Sequence, residues 1–424
     1  MGCSENDNIF TFSEPGFVFI SRNGLIRTMG SDIKFIHCAD LHLGGRFKGV
    51  SDGDPELGRR MRSSIPESFS RIVDLVKGES ADALVISGDI YDDEYATPST
   101  RFAFAKELER AGVPVFICRG NHDSATSWDS SIPYPPNVHE FPTEPESFTV
   151  HSGGGDFEVV GVSFGTSHEG RNLASMMTGR RDMFTIACVH CDVDSASEGY
   201  RYAPCRLSDL TGRGVDYWAL GHIHKRQVLS EDPYVVYPGN IQGRSFKETG
   251  EKGAYVVTVS SGKVSEVRFV PTQGIVWHDM TVDITGKVLG DVVSEISSQV
   301  SAGDLVRIGF IGHGDLDGML RDEPDDVMRS IRVGARCRVA SMRVDTTPEM
   351  DIWSLTDGDD LRSKVVSAGR EMMSLGREEI IGTICSHSIA SKYREHFESL
   401  SDDELREMVE EATVKVVHHM GVSG

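Results

Sequence analysis

Seven side chains able to bind a metal recur at the ends of apolar runs in this 424-residue chain. "FIHCADLHLG" carries Asp40 and His42, "ALVISGDIYDD" carries Asp89, and "VPVFICRGNHD" carries Asn121 with His122 and Asp123 behind it. "FTIACVH" ends on His190, and "DYWALGHIHKRQ" supplies His222 and His224. Asp40 and His42 are two residues apart, as are His222 and His224, and on an extended chain that spacing puts both side chains of a pair on one face. Taken singly, each has an ordinary explanation. A D-x-H tripeptide is common in loops, Gly-Asn reads equally well as a turn, and a histidine closing an apolar strand is usually a satisfied structural residue. Together they combine carboxylate, amide and imidazole donors, and a carboxylate placed like Asp89 can bridge two cations. So many imidazoles suit a borderline cation such as Mn²⁺, Fe²⁺ or Zn²⁺ better than Mg²⁺.

The elements that must position these residues follow from the hydropathy pattern. From Ile33 to about Val270, strand-like apolar runs alternate with helical patterns near Ser64–Val76, Ser99–Arg110 and Arg171–Met177, which predicts α/β layering. The donors then lie at strand C-termini, where open α/β sheets place their sites. "GAYVVTVSSGKVSEVRFV" predicts a closing hairpin around Ser261 and Gly262. Residues 275–348 predict a smaller α+β domain, with "WHDMTVDITG" and "ARCRVASMRVDTT" as strands, "GDVVSEISSQV" as a helix and an acidic turn near Arg321–Asp326. Residues 349–424 predict a helical tail. In it Ser401 and Glu404 form a capping box, and Leu405, Met408, Val409, Ala412 and Val416 form one apolar stripe. That stripe would cover either this chain's own core or a partner.

The formal charge of −22 weighs against a protein that holds nucleic acid by bulk electrostatics, so a polyanion would need a local basic patch, metals or a partner. The chain has no apolar stretch of about 18 residues, so no membrane span is expected. The first 28 residues have no basic segment followed by an apolar core and a cleavage site, and Asn6 breaks the myristoylation pattern. Residues 1–32 are therefore expected to be an extension, with Met29 a second possible start. Cysteines scattered in apolar runs suit a cytoplasmic location. "CVHC" places Cys188 and Cys191 on opposite faces of a strand, which disfavours a redox or zinc role.

The ordered set D-x-H, GD, GNHD, H and GHxH resembles the calcineurin-like metallophosphoesterases. The resemblance implies a four-layer α/β/β/α sandwich over residues 33–274, with the smaller α+β domain as a cap. It implies one metal on Asp40, His42, Asp89 and His224, and a second on Asp89, Asn121, His190 and His222, with Asp89 bridging. Two such cations can activate a water and clamp a phosphoryl group. His122 is the family's candidate proton donor to the leaving oxygen, and Asp123 could orient its ring, although a turn cap explains Asp123 as well.

"YAPCRLSDL" and "DYWALGHIHKRQVLSEDPYVVYPGNIQGRSFKETGEKGAYVVTV" further resemble the DNA-repair exonuclease branch, the SbcD and YhaO type. This implies a Mn²⁺-dependent 3′→5′ exonuclease or endonuclease subunit acting at DNA ends. It would be a homodimer partnered with a coiled-coil ABC/SMC-type ATPase that docks on the helical tail. Asp92 departs from the pattern, since some nucleases of this group carry a histidine there. Arg244, Lys225 and Arg226 are the candidate phosphate contacts, each also explicable as a solvated charge. The competing expectations are a metallophosphatase or cyclic-nucleotide phosphodiesterase acting on a small phosphoester, and a non-enzymatic metal-bound scaffold.

Overall fold

The computed structural model describes residues 12–13, 16–17, 32–48, 55–92, 96–126, 132–194, 202–349, 352–355, 358 and 360–420. The expected N-terminal extension, apart from Asp32 and the paired two-residue strands Phe12–Ser13 and Gly16–Phe17, lies outside the described residues. The chain divides into two compact units, Met1–His278 and Asp279–Gly424.

In the first unit, β1 (Ile33–Cys38), β2 (Ala83–Ser87), β3 (Val115–Cys118) and β4 (Val138–Glu140) pair in parallel. Helix α1 (Pro55–Gly78) connects β1 to β2, and α2 (Pro98–Ala111) connects β2 to β3. The second sheet contains β5 (Glu146–Val150), β6 (Phe157–Val162), β7 (Phe184–His190) and β8 (Tyr217–Gly221), continued by β9 (Gln227–Glu231) and β10 (Tyr234–Tyr237). Strands β11 (Gly253–Ser260) and β12 (Lys263–Pro271) form the predicted hairpin and extend the first sheet, giving the order β12-β11-β1-β2-β3-β4. The second sheet has the order β9-β10-β8-β7-β6-β5.

Continuous runs such as "ALVIS" and "FTIACVH" are buried on both faces, as parallel strands between layers must be. One core lies between α1, α2 and the first sheet, built on Phe69, Ile72, Leu84 and Ile86. A second lies between the sheets, where Phe35, Val85 and Phe116 meet Phe157, Ile186 and Tyr217. A third covers the far side of the second sheet with Val160, Val189, Trp218 and Leu210. The layering is that of the expected sandwich, with α1 and α2 outside the first sheet and, among the described residues, the 3₁₀ turns Ala174–Met176 and Leu207–Leu210 with their loops outside the second. Near the donor end the sheets are stitched by polar bonds: His37 Nδ1 lies 3.1 Å from the Tyr217 hydroxyl, and the Ser87 hydroxyl donates to the Ala219 carbonyl at 2.8 Å. Burial pushes the His37 imidazole down to about 3, so it stays neutral inside this seam.

The helix expected at Arg171–Met177 is one 3₁₀ turn, Ala174–Met176. Asn172 caps it by accepting from the Ser175 amide, and Gly179 then leaves to bond the Arg213 carbonyl, so the chain is drawn away before a second turn can form.

The strand β13 (Trp277–Asp283), which starts with the last two residues of the first unit, forms a three-stranded sheet with β14 (Leu305–His313) and β15 (Arg338–Thr347) of the second, covered by α3 (Leu289–Gln299), α4 (Leu316–Asp322) and α5 (Pro324–Gly334). The acidic turn expected near Arg321–Asp326 is a helix-to-helix junction. Pro324 has no amide hydrogen to donate and fits the first turn of α5, so the chain restarts there.

The tail folds as α6 (Leu361–Ser374), α7 (Arg377–Ile384), α8 (Arg394–Ser399) and α9 (Asp402–Met420). The capping box forms: Ser401 N–H donates to Glu404 Oε2 at 2.7 Å and Glu404 N–H returns to Ser401 Oγ at 3.2 Å. The predicted stripe on α9 is corrected in part. Leu405, Val409, Thr413 and Val417 form the buried ridge, whereas Ala412 and Val416 face solvent. Leu405 packs with Ile381 and Cys385, and Val417 with Ile352 and Val366, so this face is covered by the chain's own helices.

Candidate metal centre

The parallel strands β1, β2 and β3 of one sheet and β7 and β8 of the other deliver the expected donors from their C-terminal ends. Beyond β1 and β2 the ladder continues in the loops, with Asp40 N–H to Gly88 O at 3.1 Å, His42 N–H to Asp89 O at 2.9 Å and Leu43 N–H to Ile90 O at 2.8 Å. The backbone turns left-handed at the donors themselves: φ is 52° at Asp40, 49° at His42, 50° at Asp89 and 105° at His222. Non-glycine residues in that region cost roughly 1–3 kcal/mol each, and such strain clusters at functional sites. Two glycines leave room for the donors. A Cβ on Gly120 would lie 2.2 Å from Asp89 Oδ1, and one on Gly221 would lie 1.7 Å from the Ser87 carbonyl and 2.8 Å from His190 Nδ1.

The imidazoles are oriented by acceptors. His42 Nδ1 lies 2.7 Å from Asp92 Oδ1, His224 Nδ1 lies 2.6 Å from Glu248 Oε1, and His190 Nδ1 lies 3.0 Å from the Ser87 carbonyl. Carboxylate and carbonyl oxygens only accept, so in each neutral ring Nδ1 carries the proton and Nε2 keeps a lone pair. Those lone pairs converge. His42 Nε2 and His224 Nε2 face each other at 3.0 Å, with Asp89 Oδ2 3.8 Å from the first and Asp40 Oδ1 4.0 Å from the second. His190 Nε2 meets Asn121 Oδ1 at 3.1 Å and Asp89 Oδ2 at 3.5 Å.

Buried acceptors gathered without a donor between them are unfavourable unless a cation joins them. The donor set therefore fits divalent cations. Asp89 Oδ2 belongs to both groups, which is where a bridging ligand has to sit. Burial works against the Asp89 charge, whereas the protonated His122 ring nearby and the His122 amide favour it, and the carboxyl lies below the usual carboxylate range. His222 reaches the cluster differently: its N–H donates to both Asp40 oxygens at 3.1 Å, and its ring centroid lies 5.2 Å from that of His190. Burial, reinforced by His190, pushes the His222 ring down to about 3 and keeps it neutral, as a metal ligand must be.

His122 stands at the rim with its side chain 46% exposed, and its N–H anchors Asp89 Oδ1 at 2.9 Å. The carboxylate beside its ring is Asp92, 3.0 Å from Nδ1, and not Asp123. That hydrogen bond, against an opposing contribution from burial, lifts the His122 ring to about 9. Asp123 is buried beneath the loops, where it accepts from the amides of Gly120 at 2.8 Å and Ile90 at 2.8 Å. It clamps two donor loops together, so its geometry is that of the turn cap.

Asp92 and Glu248 are functional candidates that the sequence reading did not single out for these roles. A carboxylate three residues after Asp89 was visible as a departure from pattern, but Glu248 gave no local signal. Asp92 also pairs with Arg244, whose Nη1 lies 2.7 Å from Oδ2, so this expected phosphate contact is already engaged inside the centre. Arg226 stacks its guanidinium 3.9 Å over the Phe269 ring and approaches Glu251 at 3.6 Å, and Lys225 is exposed.

The calcineurin-like phosphoesterase family model matches residues 33–226. A relative described as the uncharacterized metallophosphoesterase YhaO of Bacillus subtilis (strain 168) is 30% identical over 407 residues, 91% of this chain and 97% of its own length. The DNA double-strand break repair protein Mre11 of Aeropyrum pernix is 25% identical over 59% of this chain and 64% of its own length. Mre11 of Sulfurisphaera tokodaii is 22% identical over 48% and 51% respectively. The converging acceptors at the strand ends and the near full-length match to YhaO lead to one conclusion: the chain belongs to the calcineurin-like metallophosphoesterases, the metal-dependent phosphoester hydrolases.

Proposed function

We propose that this protein is a Mn²⁺-dependent DNA exonuclease or endonuclease, a subunit of a double-strand-break repair complex that acts at DNA ends. The observation that carries the choice of DNA is the similarity to two Mre11 proteins, which bear double-strand break repair in their names. Asp40, His42, Asp89 and His224 would hold one cation, and Asp89, Asn121, His190 and His222 the other. Bound there, the two cations would activate a water and neutralise a phosphoryl group under attack.

The chain's own residues supply the rest. Asp92 accepts from His122 Nδ1 and leaves Nε2 of the half-exposed ring free to give a proton to the leaving oxygen. Arg244 balances the Asp92 charge, so this carboxylate can serve His42 and His122 together. Seven described cysteines are free and buried, which fits the reducing cytoplasm. A homodimer with a coiled-coil ATPase would supply the phosphate contacts that a chain of net charge −22 lacks.

That same charge, with Arg244 and Arg226 already paired, favours a second reading in which the substrate is a small phosphomonoester or cyclic nucleotide. The deciding experiment compares linear duplex and single-stranded DNA with p-nitrophenyl phosphate and a cyclic dinucleotide, using the full chain in Mn²⁺. The nuclease reading expects DNA to be degraded, with His122→Ala losing about 10²–10⁴-fold in rate while retaining metal. Turnover of a small phosphoester far faster than DNA overturns it.

A further inference from the structure

We propose that Glu248 is the positioning residue that fixes the tautomer and orientation of His224, and so sets the affinity of one of the two cation positions. His190 ends a strand and takes its orientation from the sheet, through the Ser87 carbonyl. His224 lies beyond the end of β8, where no ladder governs its ring. Its grip comes from the loop after β10. Glu248 Oε1 lies 2.6 Å from His224 Nδ1, while Oε2 accepts from the Arg244 amide at 2.7 Å and from Asn240 Nδ2 at 3.1 Å. The carboxylate is thus used on both oxygens and cannot turn away.

The loop is in turn held rigid. The Trp277 indole N–H donates to the Gly243 carbonyl at 2.7 Å, and the Phe246 ring packs edge-on against Trp277 at 4.8 Å. Lys252 Nζ donates to the His224 carbonyl at 2.9 Å, so the backbone and the ring of His224 are clamped separately. A carboxylate on Nδ1 makes an imidazole a better donor through Nε2, and loss of such a partner typically weakens metal binding about 10–100-fold.

This inference rests on His224 being a ligand, as proposed above, and the test separates the two. Mn²⁺ is titrated into metal-free full-length protein, and unbound metal is read from the electron paramagnetic resonance of the aquated ion. Glu248→Ala is expected to weaken one of two Mn²⁺ equivalents about 10–100-fold and leave the other unchanged, with excess Mn²⁺ restoring full occupancy. Glu248→Gln, which keeps an acceptor but not the charge, is expected to fall between wild type and Glu248→Ala, and it carries the test if the alanine variant does not fold. In a His224→Ala background, Glu248→Ala is expected to add nothing.

Wild-type affinity for both equivalents in the Glu248 variants overturns the proposal. So does equal weakening of both, or a full additional loss in the His224→Ala background. Unchanged binding in His224→Ala alone overturns the ligand assignment instead.

Discussion

Asp89 Oδ2 lies within 3.8 Å of two imidazole lone pairs that belong to different donor groups, and no other carboxylate oxygen among the described residues approaches both His42 and His190 so closely. The loop geometry serves that placement, since Gly120 keeps its Cβ position clear and the His122 amide holds the second Asp89 oxygen. The two groups should therefore respond differently to substitution. Asp89→Ala is expected to abolish binding of both Mn²⁺ equivalents, whereas His42→Ala should weaken one by more than about 100-fold, since a direct ligand matters more than its hydrogen-bond partner. Metal-to-protein ratios measured after gel filtration check this, and a single lost equivalent in Asp89→Ala would remove the bridging role.

In α9 the apolar periodicity holds and its face is shifted: Leu405, Met408 and Val409 pack as expected, whereas Ala412 and Val416 do not. The spacing of apolar residues predicts an amphipathic helix, and the helix forms with its capping box closed. Its buried ridge follows the i, i+4 row through Leu405, Val409, Thr413 and Val417, because that row meets α6 and α7. Leu405→Ala is expected to destabilise this helical region by about 2–5 kcal/mol. Val416→Ala, at a position 44% exposed, should stay within about 0.5 kcal/mol. Urea unfolding followed by circular dichroism separates the two, and equal costs would contradict the packing described.

At the scale of the whole molecule, the donors lie in the unit Met1–His278, while Asp279–Gly424 has its own cores. Cation binding should stabilise the first unit through mass action, by about 2.7 kcal/mol for a site at a hundred times its Kd. Chelation of the metals is expected to lower protection from hydrogen exchange at residues 40–43, 88–92, 120–123 and 222–224, and to leave 289–334 unchanged. Mass spectrometry of the exchanged peptides tests this. A uniform loss over both units would show that the metals hold more than the strand-end loops.

The residue types at the strand ends are legible in the sequence, because burial on both faces demands unbroken apolar runs and their abrupt polar endings are visible without a structure. So are the α/β layering, the hairpin around Ser261 and Gly262, and the capping box on α9, all of which depend on neighbours within a few positions. The sequence does not reveal β14 or the break at Pro324 between two short helices. Which carboxylate faces which imidazole is fixed by contacts between segments far apart in the chain. Asp92, rather than Asp123, stands beside His122 because the ladder between residues 40–43 and 88–91 carries Asp92 to the rim and tucks Asp123 under the amides of Gly120 and Ile90. Glu248 meets His224 across a loop anchored on Trp277. Such pairings depend on register and loop anchoring between distant segments, and no local propensity records them.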